Sequence, residues 1–65
     1  MKKIFYSVKV EDLMTREYWE TVAAVDENDA REQVNNMYAR HGGRAGEVRP
    51  ATPIEIEIYY KWQEV

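Results

Sequence analysis

The chain has 65 residues, one domain (1–65) whose core is too thin for a deep catalytic cleft, because a chain this short buries only about 60% of its unfolded surface. It has no cysteine, which excludes disulfide staples and thiolate metal sites, and its apolar runs are too short for a signal peptide or for the roughly 20 residues of a membrane span. Twelve acidic against nine basic residues give a net charge of −3, which disfavours nonspecific nucleic-acid binding. Together these predict a soluble cytoplasmic protein, without a cofactor and not an enzyme.

Taken in chain order, Ile4, Tyr6, Val8 and Val10 alternate with Phe5, Ser7 and Lys9, the period of two that marks a half-buried strand. Residues 11–16 break the alternation as a hairpin connection, with Leu13 and Met14 expected over one end of the core. A second strand, over 17–25, is rich in β-branched and aromatic residues.

Asp26 suits a helix N-cap, since its carboxylate can accept from the first free backbone N–H groups. Asp29, three residues on, makes a short-armed capping box, and Glu27 adds negative charge at the positive helix end. Ala30, Val34, Met37, Tyr38 and His41 recur at helical spacing as one apolar stripe. Gly42-Gly43 then stops the helix, with Arg40 and His41 at its negative end.

Residues 42–53 hold all three glycines and both prolines and read as a loop. A third strand is expected over 54–62, where Ile54, Ile56, Ile58, Tyr60 and Trp62 alternate with Glu55, Glu57, Tyr59 and Lys61. The resulting fold class is α+β, a ββαβ unit with one helix on a three-stranded sheet of order 2-1-3. A right-handed crossover returns the third strand beside the first, parallel in direction to the second. The helix is expected to cover Ile4, Tyr6, Val8, Val22, Ala24, Ile54, Ile56 and Ile58, and no element remains for the opposite face.

That open face would carry Phe5, Ser7, Lys9, Trp19, Thr21, Ala23, Glu55, Glu57, Tyr59 and Lys61; its aromatics Phe5, Trp19 and Tyr59 are grouped with the carboxylates Glu17, Glu20, Glu55 and Glu57. These seven residues are the first candidate partner-binding surface, because aromatic rings rimmed by charge are common at interfaces; the plainer alternative is cross-strand ring pairing that stabilises a thin sheet. The acid-rich span of residues 11–32 (Glu11, Asp12, Glu17, Glu20, Asp26, Glu27, Asp29, Glu32) could meet a basic groove, or simply keep the surface solvated. Arg40, Arg44 and Arg49 form an alternative anion-binding set. Gly43-Arg44-Ala45-Gly46 fits the G-x-x-G loop of KH-type RNA-binding domains over four residues, but Pro50 disfavours the helix that should follow. His41, the only histidine, has no nucleophile or metal partner placed beside it by the sequence and suits a helix C-terminus.

In size, lack of cysteine, ββαβ plan and the acid-rich span from Glu11 to Glu32, the chain resembles the small accessory proteins of phages and mobile elements, anti-CRISPR proteins among them. The resemblance implies a noncatalytic inhibitor that occupies a host protein or nucleoprotein complex. The basic span from Arg40 to Arg49 departs from a uniformly acidic nucleic-acid mimic. Two alternatives are a small RNA-binding protein and a self-assembling subunit that forms a homodimer through an edge strand.

Overall fold

A computed structural model describes residues 2–12 and 17–63. The elements are β1 (Ile4–Glu11), β2 (Glu17–Ala24), α1 (Glu27–Tyr38), a 3-10 turn (Ala39–His41), β3 (Arg44–Pro50) and α2 (Pro53–Gln63). The fold is α+β, with a three-stranded antiparallel sheet in the order β2-β1-β3 and α1 packed on one face. The expected order and the first three elements hold. The positions proposed for Leu13 and Met14 lie outside the described residues.

Alternation in β1 and β2 sends the even-numbered side chains toward α1. Tyr6, Val8, Val10, Val22 and Ala24 form the core with Ala30 and Val34 of α1, and Tyr38, Ala45 and Val48 pack against it. Asp26 caps α1 as expected: its Oδ1 accepts from the Asp29 N–H at 2.8 Å, while Asp29 Oδ2 accepts from the Val25 N–H at 3.0 Å. At the far end Gly42 takes φ 74°, a left-handed conformation that glycine adopts without steric cost, and the Gly43 N–H closes onto the Tyr38 carbonyl at 3.1 Å. A Cβ on Gly43 would lie 2.9 Å from Tyr38 Cβ, so the chain can turn this tightly only with glycine there.

The second half of the chain differs from the sequence expectation. Residues 44–50, read as loop, form β3, while residues 53–63, read as the third strand, form α2. β3 is irregular: Val8 pairs with Val48 and Val10 with Ala45, so β3 holds one more residue than β1 between these pairs. This bulge, at Gly46 and Glu47, breaks the alternation that would reveal a strand. It also carries Gly43-Arg44-Ala45-Gly46 from the turn into the sheet, not into a clamp between two helices.

The helical state of α2 has a local cause. Thr52-Pro53-Ile54-Glu55 is a complete capping box with proline at the first helical position. The Thr52 N–H donates to Glu55 Oε1 at 2.8 Å and the Glu55 N–H to Thr52 Oγ1 at 3.3 Å. An alternating sequence wound at 3.6 residues per turn spreads its apolar side chains around the helix. Ile54 and Ile58 are therefore exposed and Ile56 is half-buried; Ile4 is exposed as well, and none of the four joins the core.

α2 also lies across the face expected to be open. Phe5 meets Tyr59 and Tyr60 edge-on, with ring centroids 5.1 and 5.5 Å apart, and Ser7 is fully buried. The sheet is thus flanked on both faces, by α1 and by α2.

Val8 sits at the centre of the core on the middle strand. Val8→Ala is expected to lower unfolding free energy by about 2–3 kcal/mol through lost burial and a residual cavity, read as a lower urea midpoint at unchanged slope. The exposed Glu32→Gln control should stay within about 0.5 kcal/mol of wild type.

Candidate functional site

β2 is an edge strand, and the direction of its free backbone groups follows from the register. The Phe5 carbonyl accepts from the Ala51 N–H at 3.0 Å, on the side away from β2. Backbone direction alternates along a strand, so Phe5, Ser7 and Lys9 face the β3 side. Their partners Ala23, Thr21 and Trp19 turn their N–H and C=O groups away from β1. Gln33 Nε2 donates to the Ala23 carbonyl at 3.0 Å, and Asp29 holds the Val25 N–H. These bonds seal only the C-terminal end of that edge.

A groove of about 690 Å³ runs along it. Gln33 and Met37 of α1 border one side, Ile58 and Trp62 of α2 the other, and Trp19, Thr21 and Ala23 are part of its floor. Trp62 is 73% exposed, Ile58 and Met37 47% each and Trp19 36%, so four large apolar side chains meet solvent at one unpaired strand.

One polar cluster beneath α2 holds the α2 wall in place. Arg49 of β3 makes a two-point contact with Glu55, from Nη1 to Oε1 at 2.8 Å and from Nη2 to Oε2 at 2.9 Å. Its guanidinium carbon lies 4.3 Å from the centroid of the Trp19 ring, a cation–π contact. Ser7 bonds Thr21, Oγ to Oγ1 at 3.1 Å, and also reaches Glu55. The Arg49 guanidinium, aided by the Thr52 N–H and Ser7, holds the Glu55 carboxyl down at about 2 against the opposing effect of burial. On the other side of the sheet the Tyr38 hydroxyl donates to Glu20 Oε2 at 2.8 Å. Burial, then this carboxylate, pushes the Tyr38 hydroxyl above its ordinary range.

Of the seven residues expected to bind a partner, Phe5 and Tyr59 pack together between sheet and α2, and Glu55 is bound by Arg49. Glu17 pairs with Lys9 at 3.1 Å. Glu20 turns to the α1 side and Glu57 is exposed on α2. Four of the seven line the groove, Trp19, Glu20, Glu55 and Tyr59, and of these Trp19 is the exposed one, the other three being half-buried. The three arginines are not brought together as free cations: Arg49 is held by Glu55, Arg44 contacts Glu11 at 3.4 Å, and Arg40 is exposed in the 3-10 turn with His41.

Met37, Ile58 and Trp62 were outside the expected site. The signal for the last two was the T-x-x-E box, which fixes the helical phase and places Ile54, Ile58 and Trp62 in line at i, i+4, i+8.

Among the described residues no group of three or more His, Asp or Glu side chains is placed to hold a metal ion, and no helix is long and apolar enough to cross a membrane. The chain matches no protein-family model, no curated protein and no solved structure.

The Glu55 cluster carries a pH signature. Its carboxyl is lowered to about 2 from an ordinary 4.5, so its stabilising contribution is fully present above about 4.5 and is lost as pH falls through about 2. Urea titrations of wild type and Glu55→Gln, followed by tryptophan fluorescence, should differ by a constant amount from pH 7 to about 5. That difference should shrink steadily toward pH 2, and a pH-independent difference would refute the role given to the carboxylate.

Proposed function

We propose that the chain is a noncatalytic protein-binding module of a reducing, cytoplasmic compartment, with the β2 groove as its working surface. The observation that carries this reading is the coincidence of outward-facing backbone groups at Trp19 and Thr21 with exposed Met37, Ile58 and Trp62 along the same edge. Strand addition uses both features: main-chain hydrogen bonds supply affinity, and flanking apolar side chains supply selectivity.

The inhibitor form of this reading, in which an acidic face occupies a host nucleoprotein complex, has weaker support. Glu11, Glu17, Glu20 and Glu55 contact groups of their own chain, and Asp26 and Asp29 are taken up at the start of α1. Nucleic-acid binding through Arg44 and Arg49 meets the same obstacle, since each is paired with a glutamate.

The test is a capture experiment with tagged wild type and three variants, bound proteins being identified by mass. The double variant Ile58→Ser/Trp62→Ser alters only side chains with large exposure and should reduce the captured partner at least about tenfold, as loss of an interface hot spot does. Arg40→Ser, away from the groove, should capture as wild type does. Glu57→Lys probes electrostatics without touching the Arg49–Glu55 pair, and it should change capture less than about twofold at physiological salt. Equal capture by wild type and the double variant would overturn the reading.

A further inference from the structure

We infer that the strand taken up by the groove is β2 of a second copy of this chain, paired antiparallel about a two-fold axis at Thr21. This rests on the reading of the groove as the protein-binding surface and names its occupant.

The two edges of the sheet are built differently. β3 carries a bulge and Pro50, and α1 reaches over it: Asn35 Oδ1 accepts from the Ala45 N–H at 2.7 Å and Arg31 Nε donates to the Gly46 carbonyl at 3.5 Å. Bulges, proline and covering side chains are the devices that keep an edge from pairing. β2 runs in unbroken register with β1 over all eight of its residues, from Glu17 to Ala24. It contains no proline or lysine, and the seals from Asp29 and Gln33 stop at Ala23. One edge of the same sheet is blocked and the other is left ready to pair.

The register follows from charge and size. The midpoint of β2 falls between Glu20 and Thr21, so a two-fold axis at either residue pairs seven of its eight residues. An axis at Glu20 would set that carboxylate against its own copy, which destabilises a sheet. An axis at Thr21 avoids this, and Thr21 is one of the residues whose backbone faces outward, so each Thr21 exchanges both hydrogen bonds with its counterpart. Trp19 then lies opposite Ala23 of the second copy, a large ring against a small side chain, and Glu20 opposite Val22; the Ala23 carbonyl, which takes Gln33 in the single chain, takes the Trp19 N–H there, by exchange or through its second lone pair. Lys3, at the Ala23 end of the groove, comes to the end that carries Glu17 of the second copy, where it adds a second cation to the one Glu17 already meets in its own Lys9.

A two-fold axis makes the contact isologous. Ile58 and Trp62 of both copies gather on one face of the joined six-stranded sheet, and the two Met37 side chains on the other. The apolar walls that solvent meets in one chain thereby cover each other in two.

The test is sedimentation of the full chain from about 5 to about 500 µM, a range in which mass action reveals a micromolar dimer, combined with amide exchange at both extremes. The 7.7 kDa species should give way to one of twice that mass. The Trp19 and Thr21 amides should exchange at least about tenfold more slowly at the high concentration. Thr21→Pro removes an outward N–H and with it the hydroxyl that meets buried Ser7, so its fold is checked by far-UV circular dichroism; Trp62→Ser leaves the strand and Ser7 untouched, and both should remain at 7.7 kDa.

A single 7.7 kDa species at every concentration overturns the inference, as does a dimer in which the Trp19 and Thr21 amides stay unprotected. If the chain is monomeric yet loses a different captured protein in the Ile58→Ser/Trp62→Ser variant, the second copy is excluded and the groove still stands. If capture is also unchanged, both readings fall.

Discussion

The contact between Arg49 and Glu55 joins the two halves of this fold. Glu55 closes the capping box that starts α2, and the same carboxylate takes the guanidinium that β3 presents across Ser7. One side chain therefore nucleates the helix and fastens it to the sheet. Charge-assisted two-point bonds of this kind are directional, which matters here because no side chain of α2 from Pro53 to Trp62 lies fully in the core. The rings of Phe5, Tyr59 and Tyr60 add contact area, while the carboxylate sets where along the sheet the helix begins.

Holding α2 there has consequences on both sides of the sheet. Ser7 can be fully buried because Thr21 meets its hydroxyl at 3.1 Å, consistent with the rule that buried polar groups find partners. Trp19 is kept under the Arg49 guanidinium, so its ring lies along the sheet as groove floor. The apolar core on the α1 side is left to small and β-branched residues, Val8, Val10, Val22, Val34, Ala24 and Ala30, with Tyr6 at its margin. Two thin layers on one sheet suit a chain too short for a single deep one.

Much of the first half was legible in the sequence because local and tertiary signals agree there. Strict alternation in residues 4–10 matches burial against α1, and Asp26 caps the helix at the position that composition suggested. In the second half the signals conflict. β3 hides its strand character behind a bulge and Gly46, and only Val48 and Ala45 betray an inward face. Residues 54–62 show a period of two, yet the four residues from Thr52 to Glu55 start a helix that ring packing and the Arg49 pair then keep. Once α2 left the sheet, the expected open face was closed, and Phe5, Tyr59 and Glu55 moved from candidate surface to internal support. The groove was legible only in part: Trp19 could be placed, but Met37 required knowing that it stands beside an unpaired strand.

The misread segment and the candidate site share one physical origin. Had residues 54–62 formed a strand, their isoleucines would have lain on the buried face and the edge of β2 would have had one wall. Wound as a helix, the same alternation cannot hide all its apolar side chains, and the line Ile54, Ile58, Trp62 is left outside. A small, charged chain gains nothing in folding from exposing three such side chains, and a simple change of pattern would bury or remove them. Two of them, Ile58 and Trp62, border the groove along β2, and on the proposed reading they flank the place where another strand adds. The conflict between local pattern and adopted structure in α2 is therefore what leaves apolar side chains in solvent beside β2, and it is the feature on which the proposed association rests.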